Sequence, residues 1–200
     1  MKRISEEVQD NRKKIIHCAI DLFYEKGYEG VGVQEIANTA GITKPTLYYY
    51  FKSKYGLLES VLAEYIPDFI NLMREAVDSS GSLEDGLKKL AKVYLSRSID
   101  NRNYTYMFLG LVYSPKDSDS YKAVAEYSFE IFNIFNNLFV KYSNYLGNMN
   151  GRNVQFTMGF MGILNYYMLV RRYEEKGAEC VDMDKDIHLL VHQFMHGIFS

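Results

Sequence analysis

Apolar residues recur at three- and four-residue spacing along this chain, the signature of amphipathic helices. Ile15, Ile16, Ala19, Ile20 and Phe23 predict a first helix over about residues 5–26, with Gly27 as its C′ residue. A second helix is expected from about Val33, with Ile36, Ala37 and Ala40 on one face. Gly41 then supplies the positive φ of a tight turn, and Ile42 covers the core. Thr43 is a natural N-cap for a third helix that carries Pro45 in its first turn and buries Leu47 and Phe51. Ser53 caps a long fourth helix over about residues 54–78, which Pro67 should kink or end. Further helices are expected at about 83–100, 103–114, 118–146, 151–176 and 184–198. The breaks between them are marked by Asn101-Arg102-Asn103, Ser114-Pro115, Gly147-Asn148 and Gly177.

Composition narrows the class. Two hundred residues allow one domain or two small ones, and 48% hydrophobic content suffices for a sizeable core. Twelve Phe and eighteen Tyr with no Trp and three Pro favour aromatic-rich helix packing. The formal charge of −2 gives no overall basic signal, but the charge is split. Residues 1–54 hold nine Lys/Arg and seven Asp/Glu; residues 55–200 hold fourteen and eighteen. A mildly basic head on an acidic body fits DNA binding by the head alone, and ordinary scatter of charge would explain it equally well. Cys18 and Cys180 form no paired motif, and Cys18 is expected to pack as a small hydrophobe. No secretory leader and no membrane-length apolar run are read, so a cytoplasmic protein is expected. A glycine-rich phosphate loop, a nucleophile motif and a coherent Cys/His or carboxylate cluster are all missing, which argues against an enzyme and against a cofactor. His188, His192 and His196 share a helix face, a spacing that metals use. No cysteine accompanies them, so they are read as flanking an interface, with no metal expected.

The stretch VQEIANTAGITKPTLYYYFKSK is the most informative part of the chain. It is helix, glycine turn, helix at helix-turn-helix spacing. Ala37 is small where the next helix crosses close. Lys44, Pro45, Thr46, Tyr48 and Tyr49 remain outward on that next helix, a set that suits a nucleic-acid duplex better than a solvated face.

From Gly27-Tyr28 through Ala40-Gly41-Ile42-Thr43, Leu47-Tyr48 and Tyr50-Phe51 to Ser53-Lys54-Tyr55-Gly56-Leu57-Leu58, the first quarter of the chain resembles the N-terminal domain of the TetR family of transcriptional repressors. The resemblance implies an all-α fold, with a three-helix DNA-binding domain (residues 1–54) followed by a helical ligand-binding and dimerisation domain (residues 55–200). It implies a homodimer on a palindromic operator in double-stranded DNA, released by a small organic effector. By resemblance Gln34, Lys44, Pro45 and Tyr48 reach base edges, and Thr46, Tyr49, Tyr50 and Lys54 reach phosphates, with Thr43 at the cap. Tyr50 reads equally as part of the small core. Gly32 stands where the family usually has a hydroxyl residue, which removes one side-chain phosphate contact.

One such unit touches only a few base pairs, so two recognition helices one helical turn apart are needed to read a palindrome. The last two helices are expected to form the dimer surface, with Phe156, Gly159, Ile163 and Tyr167 on one and Ile187, Val191, Phe194, Met195 and Ile198 on the other. Candidates for the effector pocket are Phe69, Met73, Tyr94, Tyr106, Met107, Tyr127, Phe132, Phe160 and Tyr166. Their Tyr and Met content suits a flat, apolar or cationic molecule.

Overall fold

The structure is a computed structural model that describes residues 2–146, 150–174 and 182–197. Cys180, Ile198 and the expected breaks at Gly147-Asn148 and Gly177 lie outside them. Nine α-helices are present among the described residues: α1 (Lys2–Lys26), α2 (Val33–Ala40), α3 (Lys44–Phe51), α4 (Lys54–Asp78), α5 (Leu83–Asp100), α6 (Arg102–Val112), α7 (Asp119–Lys141), α8 (Asn153–Glu174) and α9 (Met183–His196). No strand occurs among those residues, and none of their helices is long and apolar enough to cross a membrane.

The chain divides into two compact units, residues 1–67 with 101–128, and residues 68–100 with 129–200. The boundary falls at Pro67, inside α4. Pro67 does not end that helix; it lacks the N–H that would bond to the carbonyl four residues earlier.

In the first unit, Ile15, Ile16 and Ala19 of α1, Ile36 and Ala37 of α2, Leu47 of α3 and Leu57, Leu58 and Val61 of α4 are all fully buried. Apolar burial at about 25 cal/mol per Å² is the main stabilising term for this cluster. Polar ties fix α1 sideways. Arg12 pairs with Glu64 at 3.1 Å, the Asn103 amide donates to Asp21 at 2.8 Å, and Lys26 pairs with Glu35. Cys18 is half-buried, and burial pushes its thiol pKa up, as a small packed hydrophobe requires.

The second unit is built around an aromatic series. Phe69, Tyr94, Phe135, Phe160 and Phe194 follow one another at centroid separations of 6.0, 5.6, 6.1 and 5.0 Å. Arg97 lies 4.1 Å over the Phe69 ring. The end of α4 is capped from a distance: the Lys141 ammonium donates to the carbonyls of Val77, at 2.7 Å, and Ser80, at 3.4 Å. A cation is favoured there because the last carbonyls of α4 lack helical partners. The Tyr142 hydroxyl joins it on the Ser80 carbonyl at 2.6 Å. The chain is a continuous helix only to Lys141, five residues short of the expected end, and a 3₁₀ turn over Ser143–Tyr145 follows.

The exit of α3 is tightly constrained. Lys52 has φ 64° and ψ −40°, and Ser53 N–H donates to the Phe51 carbonyl at 2.7 Å, which makes a γ-turn of the strained hand. Ser53 Oγ then accepts from Gly56 N–H at 2.8 Å and caps α4. Gly56 lies directly against the Phe51 carbonyl oxygen, so any Cβ there collides with backbone. We expect Gly56→Ala to destabilise the protein by about 1–3 kcal/mol, measured by urea unfolding followed by circular dichroism. Gly110→Ala, whose Cβ meets open space on a helix, is the control and should not destabilise. Equal stability of the two variants would contradict the close approach.

Candidate nucleic-acid interface

The site begins with Gly32, the N-cap of α2 at φ −91°, which makes no side-chain cap. Its surroundings are open, with nothing within 4 Å of an added Cβ. α2 ends at Gly41, whose φ of 67° is left-handed, and Ile42 N–H returns to the Ala37 carbonyl at 2.9 Å. Thr43 then caps α3: its Oγ1 accepts from Thr46 N–H at 3.3 Å and shares a hydrogen bond with Thr46 Oγ1 at 2.8 Å.

At eight residues α3 is too short to be stable alone, so its packing must hold it. Leu47 and Phe51 supply that packing, both buried. Every other part of the helix is then turned outward or left half-covered. Lys44 and Pro45 are exposed, Tyr48 is 39% exposed and Tyr49 71% exposed, while Thr46 and Tyr50 are half-buried. The Lys44 ammonium lies 5.8 Å from the Tyr48 ring. Tyr50 packs edge-on against Tyr49 at 5.4 Å and lies 6.0 Å from Phe51, so it belongs partly to the small core. On α2, Gln34 is exposed and its amide donates to Asn38 at 2.9 Å. Gln34, Lys44, Pro45, Tyr48 and Tyr49 thus offer donors, acceptors and flat apolar faces to an outside partner.

Lys54 is turned inward. Its ammonium donates to the carbonyls of Tyr28, at 3.0 Å, and Val31, at 3.2 Å, and sits 4.1 Å over the Tyr28 ring. The phosphate contact implied for this residue would have to compete with those three interactions. What Lys54 does in the structure is tie the α1–α2 loop to the start of α4. Burial pushes the Tyr28 phenol up to about 12, helped by the Asp119 and Glu29 carboxylates, so the ring under the ammonium stays neutral. Two other cations of this region stand closer to solvent. Lys52 is exposed at the exit of α3, and the Lys14 ammonium approaches the Gly41 turn. The KSK spacing around Ser53 was the available signal for Lys52.

Part of the expected dimer surface packs inside the protomer. Ile187 and Val191 are buried within the protomer. Phe194 packs on Phe139, Phe156 and Phe160 of the same chain, and the Tyr167 hydroxyl donates to Asp186 at 2.6 Å beside Arg171. Met195 and Ile163 are half-buried, and Gly159 faces the Phe194 ring at 3.6 Å from an added Cβ. Phe194 and the Tyr167–Asp186 bond tie α9 to α8, and α9 also packs on α5. The apolar residues left exposed are Val154, Met158, Tyr166, Leu169 and Val170 of α8 with Leu189 of α9. α8 carries two apolar faces, and spacing alone cannot say which one looks outward. His188, His192 and His196 are exposed along α9, with ring centroids 6.3 and 4.6 Å apart.

The nine effector-pocket candidates are also redistributed. Phe69, Met73, Tyr94, Phe132 and Phe160 belong to the second unit, whereas Tyr106, Met107 and Tyr127 belong to the first. Tyr166 is 68% exposed on α8 and lines no interior. Tyr94 donates its hydroxyl to Asn165 at 2.9 Å.

A helix-turn-helix whose second helix is held by two buried residues and shows the rest of its surface defines the class of a DNA-binding domain. Comparison with known proteins agrees. Residues 15–61 match the sequence model described as bacterial regulatory proteins, tetR family. The HTH-type transcriptional activator FasR of Mycolicibacterium smegmatis is 27% identical over 100 residues, covering 50% of this chain and 46% of FasR. The HTH-type transcriptional repressor KstR2 of Mycobacterium tuberculosis is 29% identical over 90 residues, 45% of each chain. The chain thus spans about half the length of the curated relatives it matches. The structure of the transcriptional regulator FadR from Bacillus subtilis in complex with stearoyl-CoA superposes with a TM-score of 0.71 at 19% identity, covering 93% of this chain and 98% of that one. Residues 15–61 are thus a helix-turn-helix domain of the TetR type, and the chain has the fold of the superposed regulator.

The Lys54 geometry makes a separable prediction. Lys54→Met keeps the aliphatic stem and removes the ammonium, and should cost about 1.5–3 kcal/mol of stability, read by urea unfolding. An unchanged midpoint would show that the two carbonyls do not depend on the ammonium.

Proposed function

We propose that this chain is a homodimeric, sequence-specific regulator of transcription that occupies a palindromic operator and acts as a repressor released by a small organic effector. The observation that carries this reading is the outward surface of α3, where Lys44, Pro45, Tyr48 and Tyr49 stand on a helix that Leu47 and Phe51 anchor. In this reading Gln34 and Lys44 bond base edges, Pro45 lies against a thymine methyl, and the Tyr48 and Tyr49 hydroxyls meet the duplex with their rings on sugars. Thr43, Thr46 and Tyr50 border the phosphates, and Lys54 contributes by fixing the loop beside them. Residues 1–54 read DNA, and residues 55–200 hold the effector and the second protomer.

The dimer contact we assign to the exposed face of α8, with Val154, Met158, Tyr166 and Leu169, continued by Leu189. A patch of this kind on a helix face is what a second copy covers. The aromatic series from Phe69 to Phe194 supports an effector with an apolar part, in keeping with the stearoyl-CoA found with B. subtilis FadR. Release follows from linkage: an effector that prefers a state with mis-spaced recognition helices weakens operator affinity by the same factor that operator weakens its own. α4 joins the two units through Pro67, and we assign the transmission to it. KstR2 is named a repressor and FasR an activator. The repressor reading rests on steric exclusion at the operator; activation in a reporter assay would replace it without touching the DNA-binding claim. The protein works in the cytoplasm, where its operator is.

Binding is measured by fluorescence anisotropy on duplexes tiled across the chain's own upstream region. Tyr48→Ala should weaken operator binding about a hundredfold or more, because a dimer loses two contacts of about 1–3 kcal/mol each, while its circular dichroism and oligomeric state stay unchanged. Wild-type affinity in that variant would remove α3 as the reading surface. Gly32→Ser restores a hydroxyl where space is open, and should tighten binding and steepen its salt dependence. An unaltered salt slope would show that position 32 does not meet a phosphate.

A further inference from the structure

A cavity of about 260 Å³ lies within the first unit, between the end of α1 with the loop that follows it and the second half of α6. Its walls include Tyr24, Tyr28, Glu29, Tyr106, Gly110 and Ser120. Its chemistry is one-sided. Three tyrosine rings line it, with Tyr24 and Tyr106 at a centroid separation of 6.4 Å. Glu29 accepts a hydrogen bond from the neutral Ser120 hydroxyl at 3.1 Å and has no ion-pair partner among the described residues. Lys26 also borders the cavity, but Glu35 already neutralises it. α1 ends at Lys26 and α6 at Val112, so two helix C-termini, each with a partial negative charge, converge on this space. The start of α7 contributes the opposite sign, and Asp119 in its first turn offsets that. Burial raises the Tyr28 phenol, with the Asp119 and Glu29 carboxylates raising it further, which reports the same negative field from inside the wall.

We propose that this cavity is a binding site for a small organic cation of the alkylammonium class, held by the Glu29 carboxylate and by the faces of Tyr24 and Tyr106. An alkylammonium combines the two things the walls offer: a diffuse positive charge for the carboxylate and rings, and apolar carbon for the aromatic surface. An anion would meet Glu29 and two negative helix ends. A neutral apolar molecule would leave the carboxylate without a counter-charge. Gly110 gives the site its depth, since a Cβ added there meets nothing within 4 Å. The inference goes beyond the operator-binding function, and its test needs no DNA.

The probe is tetramethylammonium chloride, titrated against the full-length protein by thermal unfolding and isothermal calorimetry. Sodium chloride at equal concentration and the neutral isostere neopentane-type alcohol, 2,2-dimethylpropanol, serve as controls. Tetramethylammonium should raise the unfolding temperature saturably, because it binds the folded state, and neither control should. Glu29→Gln should weaken binding about tenfold, and Gly110→Leu, which fills the cavity, should remove it while circular dichroism shows an intact fold. Glu29→Gln decides the matter even if Gly110→Leu fails to fold. Equal effects of sodium and tetramethylammonium overturn the proposal. So does equal binding of the alcohol, or wild-type affinity in Glu29→Gln.

Discussion

The direction of α3 rests on very little, and the rest of the DNA-binding unit is arranged to compensate. Two buried side chains, Leu47 and Phe51, hold an eight-residue helix that could not persist alone. Its exit is then fixed by backbone: the γ-turn at Lys52 and the contact of Gly56 with the Phe51 carbonyl leave no room for an alternative path. The same junction is tied to the α1–α2 loop by the Lys54 ammonium, which gathers two carbonyls and one aromatic face. A reading surface needs this kind of over-determination. Base recognition is geometric, and a helix free to rock would spread its side chains over several registers. The strain at Lys52 is thus placed where rigidity matters most.

Most of the local architecture was legible in the sequence because it depends on residues with few conformational options. Gly41 takes the left-handed turn, Thr43 the N-cap, Pro45 the first turn and Ser53 the cap of α4, as their covalent structure favours. The outward position of Tyr48 and Tyr49 followed from helical spacing once Leu47 and Phe51 were placed inside. A lysine at a helix N-terminus opposes the helix dipole, and the sequence alone suggested a bound phosphate as the answer for Lys54. The fold resolves it otherwise, with carbonyls of a loop about 23 to 26 residues away in sequence. Such a tertiary contact leaves no periodic trace.

The second unit was less legible, for a related reason. α8 and α9 are rich in apolar residues on more than one face, and periodicity identifies a stripe without naming its neighbour. Ile187 and Val191 satisfied the pattern and are buried in the protomer, and Phe194 packs partly on its own chain, whereas Met158 and Tyr166 are exposed. An aromatic residue at helical spacing likewise does not announce whether it fills a core or lines a pocket. Tyr166 lies on the surface, and Tyr106 belongs to the cavity beside α1.

If two copies of α3 read a palindrome, the preferred duplex must itself be two-fold symmetric. The most direct measurement is selection of duplexes from a random pool by the purified protein, followed by sequencing. The expected result is a two-fold symmetric motif with half-site centres about one helical turn, or a multiple of it, apart. A pool that emerges without symmetry, or that is not enriched at all, would contradict it.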